Sequence, residues 1–107
     1  MRTDRLQGAL EMLILKSLEH KDNHGFGITL HVQTVSEGLL RVEEGSLYPA
    51  LQRILLKGWV TAEWAQTGTK RRLRVYSLTP EGREQLDQEI SAYRRVSQAI
   101  ERVIEPA

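Results

Sequence analysis

The sequence predicts a domain that is mainly α, with a small two-stranded antiparallel β hairpin and one long C-terminal helix. Three observations carry this. Apolar residues recur at helical spacing in the segments before Gly58 and after Pro80. Between Val60 and Leu78 the period switches to two. Thr79-Pro80-Glu81-Gly82 then opens a new helix. At 107 residues the chain is one small domain whose core is adequate but not generous.

The first helix is expected from Asp4 to about Glu19. Leu6, Leu10, Leu13, Ile14 and Leu18 form a core-facing stripe, and Asp4 with Gln7 suits a capping-box start. His20 to Asn23 is a polar connector, with Asn23 as the expected N-cap of a second helix from about His24 to Val35. Phe26, Ile28, Val32 and Val35 are its expected apolar contributors. Gly38 ends that region, and Leu39, Leu40 and Val42 bridge to a short third helix. There Leu47, Leu51, Ile54 and Leu55 make one buried face, while Ser46, Pro49, Gln52 and Arg53 point the other way. Pro49 is read as stiffening the first turn, and Tyr48 as packing its ring at the helix base. Gly58 stands where a left-handed cap is wanted.

In the hairpin Val60, Ala62 and Trp64 alternate with Thr61, Glu63 and Ala65, and Trp59 and Trp64 are read as core and interface packing. Gln66 to Thr69 is the turn, and the returning strand runs from about Arg71 to Leu78. Lys70, Arg71, Arg72 and Arg74 concentrate positive charge here, with no acidic residue between Trp64 and Pro80. In the final helix Thr79 is the N-cap, Pro80 takes the first helical position and Glu81 complements the dipole. It should reach about Glu105. Leu86, Ile90, Tyr93, Ser97, Ile100 and Ile104 fall at intervals of 4, 3, 4, 3 and 4, a heptad seam suited to pairing with a second copy.

The 15 Lys and Arg nearly balance the 14 Asp and Glu, so the net charge of +1 conceals the basic hairpin. With no cysteine there is no disulfide framework or thiolate metal site. His20, His24 and His31 contain no clean i, i+4 pair inside one helix, so neither a metal nor a cofactor is expected. The apolar residues after Leu6 are broken by Gln7, Glu11 and Lys16, which is not a signal pattern, and no run approaches the ~18 apolar residues of a membrane span. A soluble, cytoplasmic protein with no membrane association is the expectation. No nucleophile elbow or phosphate-cradling loop suggests an enzyme.

The run Gly45-Ser46-Leu47-Tyr48-Pro49, followed by Arg53 and Gly58, resembles the recognition helix of the PadR family of winged helix-turn-helix transcriptional regulators. The likeness extends from Gly8 to Ile104. Leu6-Gln7-Gly8 with Ile14-Leu15 looks like the family's first helix, and His24-Gly25-Phe26 like its opening of helix two. Leu78-Thr79-Pro80-Glu81-Gly82-Arg83 looks like its junction into the final helix. The single C-terminal helix is similar to that of the shorter members.

The resemblance implies a winged helix-turn-helix DNA-binding domain over residues 1–79 and a C-terminal dimerisation helix over 80–107. It implies a homodimer that binds a roughly palindromic double-stranded DNA operator, usually as a repressor, with release often triggered by a small-molecule effector or stress signal. In physical terms, Lys70, Arg71, Arg72 and Arg74 suit phosphates. Ser46 and Gln52 are sized for base edges, and Arg53 for a guanine or a phosphate. Pro49 offers an apolar surface to a thymine methyl, and Tyr48 completes the expected set. Two copies would present recognition helices to major grooves about 34–36 Å apart.

Three positions depart from the family pattern. Phe26 replaces a frequent tyrosine, Glu43-Glu44 place carboxylates at the recognition-helix tip, and Val75 stands where many relatives have an aromatic residue. The competing reading is a winged-helix module for protein–protein contact without DNA binding.

Overall fold

The computed structural model describes residues 8–68 and 71–105. The element order is α1 (Leu10–Leu18), β1 (Asn23–His24), α2 (Gly25–Val35), α3 (Glu44–Leu56), β2 (Val60–Thr67), β3 (Arg71–Leu78) and α4 (Pro80–Ile104). The expected start of the first helix, with Asp4, Leu6 and Gln7, lies outside the described residues.

The hub is α1, which touches α2, α3, β3 and α4. A helix so surrounded cannot be amphipathic in the ordinary sense. Met12, Leu15 and Ser17 are buried along with Leu10, Ile14 and Leu18, and the Ser17 hydroxyl donates to the Ile14 carbonyl at 2.7 Å. Around α1 the core adds Ile28 and Val32 from α2, Val42 from the connector, and Leu47, Ala50, Leu51 and Ile54 from α3. Val60, Tyr76 and Leu86 close it. Glu19 at the end of α1 meets both Lys16 and Arg83 of α4. The hydrogen bond from Lys16 holds the Glu19 carboxyl below its usual range, against an opposing push from desolvation.

The sheet has three strands in the order β1-β3-β2, one more than the sequence suggested. Asn23 pairs with Tyr76 and His24 with Val75, so the connector ends as a short strand. This also moves the helix cap. His24, and not Asn23, is the N-cap of α2, its Nδ1 accepting from the Gly27 N–H at 3.1 Å. Asn23 accepts from the His24 N–H through Oδ1. Of the four apolar residues expected to bury α2, Ile28 and Val32 do so, whereas Phe26 and Val35, near the two ends of the helix, are exposed.

Helix α3 begins at Glu44, with Glu43 as N-cap, so Pro49 falls in the second turn and not the first. There it has no N–H to offer the Gly45 carbonyl. Gly58 ends α3 at φ +78°, the left-handed conformation that favours glycine. The chain then enters β2, whose junction with α4 is built on one threonine. Thr79 Oγ1 donates to the Gly58 carbonyl at 2.7 Å and accepts from the Gly82 N–H at 3.0 Å. The Thr79 N–H meets the Trp59 carbonyl at 3.1 Å. A Cβ on Gly82 would lie 2.0 Å from that same carbonyl oxygen, so only glycine lets α4 approach this closely.

Beyond Leu86, which is fully buried, and Ile90, which leans on the core, α4 leaves the body of the protein. This corrects part of the expected pairing seam, since Leu86 is consumed by the chain's own core. Tyr93, Ile100 and Ile104 lie open, joined by Val96 and Val103, while Ser97 is half-buried. The projecting helix accounts for overall extents of 59 × 29 × 22 Å.

The junction generates a stability prediction. Thr79→Ala should cost about 1 kcal/mol, and Gly82→Ala ~2 kcal/mol or more because α4 must shift. Thermal unfolding should register roughly 4–8 °C per kcal/mol. A Gly82→Ala protein that melts with the wild type would show that α4 is not held where this contact puts it.

Candidate nucleic-acid interface

The outward side of α3 carries the expected polar set. Pro49, Gln52 and Arg53 are exposed, and Ser46 is half-buried in the first turn. Around Ser46 the helix is nearly bare. Gly45 adds no side chain, and nothing lies within 4 Å of where its Cβ would be. Glycine inside a helix costs roughly 0.5–1 kcal/mol relative to alanine. No packing in the fold calls for it at this position. Glu43 and Glu44 flank the same tip, where they favour the helix dipole.

Tyr48 is half exposed, and its ring lies over the start of α2. A Cβ on Gly25 would stand 3.1 Å from both the Tyr48 Cε1 and hydroxyl oxygen. The glycine of the His24-Gly25-Phe26 motif and the tyrosine of the Gly45–Pro49 motif therefore make one contact. It sets how α2 meets α3.

Arg53 is not a free cation. Its Nε lies 3.3 Å from Glu11 Oε2, and Lys57 Nζ lies 3.2 Å from Glu11 Oε1, so one carboxylate of α1 holds a cation of α3 and the cation of its C-cap residue. Lys57 also sits 4.5 Å from the centroid of the half-buried Trp59 ring, which packs against the core as expected.

The hairpin register sorts the basic residues by face. Trp64 pairs with Arg74, Gln66 with Arg72 and Ala62 with Tyr76, and cross-strand partners share a face. Near its base this face covers the core through Val60 and Tyr76. The hairpin outruns the core, however, so Trp64 keeps its inward phase and still ends 59% exposed. Of the expected core and interface packing, Trp64 therefore takes no part in the core. In place of a core it has Arg72, whose Cζ is 5.1 Å from the indole centroid, and Arg74 at 5.9 Å. Arg71 pairs with Thr67, and strand alternation sends it to the opposite face. Lys70 lies outside the described residues.

His24, Phe26 and Tyr48 line an open cleft of ≈ 350 Å³ together with Trp64, Arg72, Arg74 and Tyr76 of the hairpin. The structure thus brings together Tyr48, Arg72 and Arg74, and leaves Arg53 and Arg71 apart from them. Phe26, Trp64 and Glu11 were missed as parts of this surface. Trp64 stands beside Arg74 through the register of β2 on β3, which a turn over Gln66 to Thr69 did not give. The clamp on Arg53 had no local signal at all.

Among the described residues no helix is long and apolar enough to cross a membrane, and no cluster of three or more metal-ligating side chains occurs. The fold is shared with solved regulators. A transcriptional regulator from Clostridium thermocellum superposes with a TM-score of 0.88 at 24% identity, over 95% of this chain and 99% of that one. Bacillus subtilis PadR in complex with operator DNA superposes with a TM-score of 0.70 at 24% identity, over 77% of this chain and 46% of that one. An uncharacterized 37.1 kDa protein of a Streptomyces fradiae transposon is 37% identical over 97 residues, which is 91% of this chain. The chain spans 25% of that relative's length. A family profile, the transcriptional regulator PadR-like family, matches residues 14–88. The chain is therefore no enzyme but a transcriptional regulator, and it belongs to the PadR-like family.

Proposed function

We propose that this protein is a cytoplasmic repressor that binds a pseudo-palindromic operator duplex as a homodimer. The observation that carries this is the cleft lined both by Tyr48 of α3 and by Arg72 and Arg74 of the hairpin. One surface thereby offers a helix tip for a groove and cations for the flanking backbone. Ser46, Pro49 and Gln52 meet base edges in this reading, while Arg72, Arg74, Arg71 and Lys70 contact phosphates. The operator complex formed by Bacillus subtilis PadR supports duplex DNA as the partner. Residues 1–79 supply the DNA contacts. The apolar stripe of Tyr93, Val96, Ile100, Val103 and Ile104, open in the single chain, supplies the pairing of residues 80–107. Release by a small-molecule or stress signal belongs to the proposal through the family resemblance.

Sequencing genomic fragments captured by the purified protein, followed by salt titration on the recovered site, tests the reading. Each phosphate neutralised adds about 0.9 to the log–log slope, so a steep slope is expected. Binding to no duplex would leave the alternative, a module for protein–protein contact.

Three variants probe the parts separately. Gly45→Ala should raise the melting temperature slightly while weakening operator binding by roughly tenfold, since a methyl then stands between helix tip and DNA; unchanged affinity would mean that the DNA does not approach there. Glu11→Gln should release Arg53 and Lys57, at under ~1 kcal/mol of stability. Random duplexes should then bind about threefold tighter, with a slope steeper by roughly one. Weaker binding would instead mark Glu11 as the group that aims Arg53. Ile100→Glu with Ile104→Glu should yield folded monomers that lose the operator, as read by sedimentation. A dimer that survives both charges would place the pairing surface elsewhere.

A further inference from the structure

We infer that Trp64 is a positioning residue: its indole holds Arg72 and Arg74 as one pre-oriented pair that grips a backbone phosphate of the bound duplex in the cleft lined also by Phe26 and Tyr48. The inference rests on the DNA-binding reading and adds a role that charge alone does not supply.

An arginine on an exposed hairpin normally samples many rotamers, and fixing it on binding costs affinity. Here the register removes much of that freedom beforehand. Arg74 stands directly across from Trp64, and Arg72 is its diagonal neighbour on the same face. Arg74 is flanked by two rings, its Cζ lying 5.9 Å from the centroids of both Trp64 and Tyr76. Tyr76 is itself buried, so this stack is anchored to the core. A guanidinium stacked by its face keeps its N–H groups at the edge, where a phosphate accepts them in pairs.

Charge and shape agree with a phosphodiester as the occupant. Among the described residues no carboxylate pairs with Arg72 or Arg74. Glu63, the acidic residue of β2, is opposite Val75 and so points to the other face. The exposed rings of Phe26 and Tyr48 line the same cleft. Of the residues that line the cleft, Arg72 and Arg74 carry a fixed positive charge, and the Phe26 ring has no hydroxyl to bond a phosphate. The exposed indole, unexplained by packing, acquires a purpose as the surface on which they rest.

The experiment compares wild type, Trp64→Ala and Trp64→Phe by NMR of the free protein and by binding to operator and scrambled duplexes over a salt series. In the wild type the δ-protons of Arg72 and Arg74 should be shifted upfield by the indole ring current, and Trp64→Ala should abolish the shift. Trp64→Ala should also weaken both duplexes alike, by roughly three- to tenfold, with an unchanged salt slope because every cation remains. Trp64→Phe should recover much of the loss. Thermal melts confirm that each variant is folded. Wild-type affinity in folded Trp64→Ala would overturn the inference, as would a loss confined to the operator or one that phenylalanine does not rescue. A wild-type protein that binds neither duplex would overturn the DNA reading itself, which separates that failure from this one.

Discussion

The closeness of α4 to the Gly58–Trp59 backbone is the constraint on which most of the architecture depends. At this point no side chain separates helix from turn. Thr79 bonds to one carbonyl with its hydroxyl and to the next with its backbone N–H, while Gly82 leaves room for the contact. The end of α3, the root of the hairpin and the first turn of α4 are thereby tied together within a few residues. Moving any one of them moves the others. The spacing between the polar face of α3 and the base of the hairpin follows from this knot, and so does the direction in which α4 departs.

A second tie operates at the other end of the cleft. The pairing of Asn23 and His24 with β3 fixes the start of α2 to the sheet, and Gly25 lets Tyr48 settle against that start. Two of the elements that border the cleft, β1 and α2, thereby touch β3, and Tyr48 of α3 is seated against the start of α2. The basic residues around it differ in availability. Glu11 neutralises part of the charge of α3, whereas Arg72 and Arg74 rest on rings. Whole-chain charge hides this sorting, because a count of charges does not say which cations are clamped and which are displayed.

What the sequence disclosed was local. The faces of α3, the left-handed Gly58, the extent of β3 and the Thr79 cap all depend on residues within a few positions of each other, and all were legible. Burial was less so, because it depends on what stands opposite. Phe26, Val35 and Trp64 each occupy the phase that apolar patterning assigns to the interior, yet each points beyond the edge of a small core. Leu86 errs in the other direction. It fits a pairing seam by spacing, and α1 claims it first. The contacts made over long separations left no trace at all. A two-residue strand has no periodicity to detect, and Glu11 meets Arg53 across 42 positions.

The anchorage of α4 has a mechanical consequence. Its first turns are clamped by Thr79, Gly82 and Leu86, while the stretch past Ile90 forms an arm of roughly 20 Å at 1.5 Å per residue. Such an element is a cantilever, stiff along its own length and compliant only at its root. A force applied to its free end reaches the Gly58–Trp59 turn as torque, with the arm as the multiplier. The root is bonded to the turn that joins α3 to the hairpin, so torque arriving there acts on both elements together.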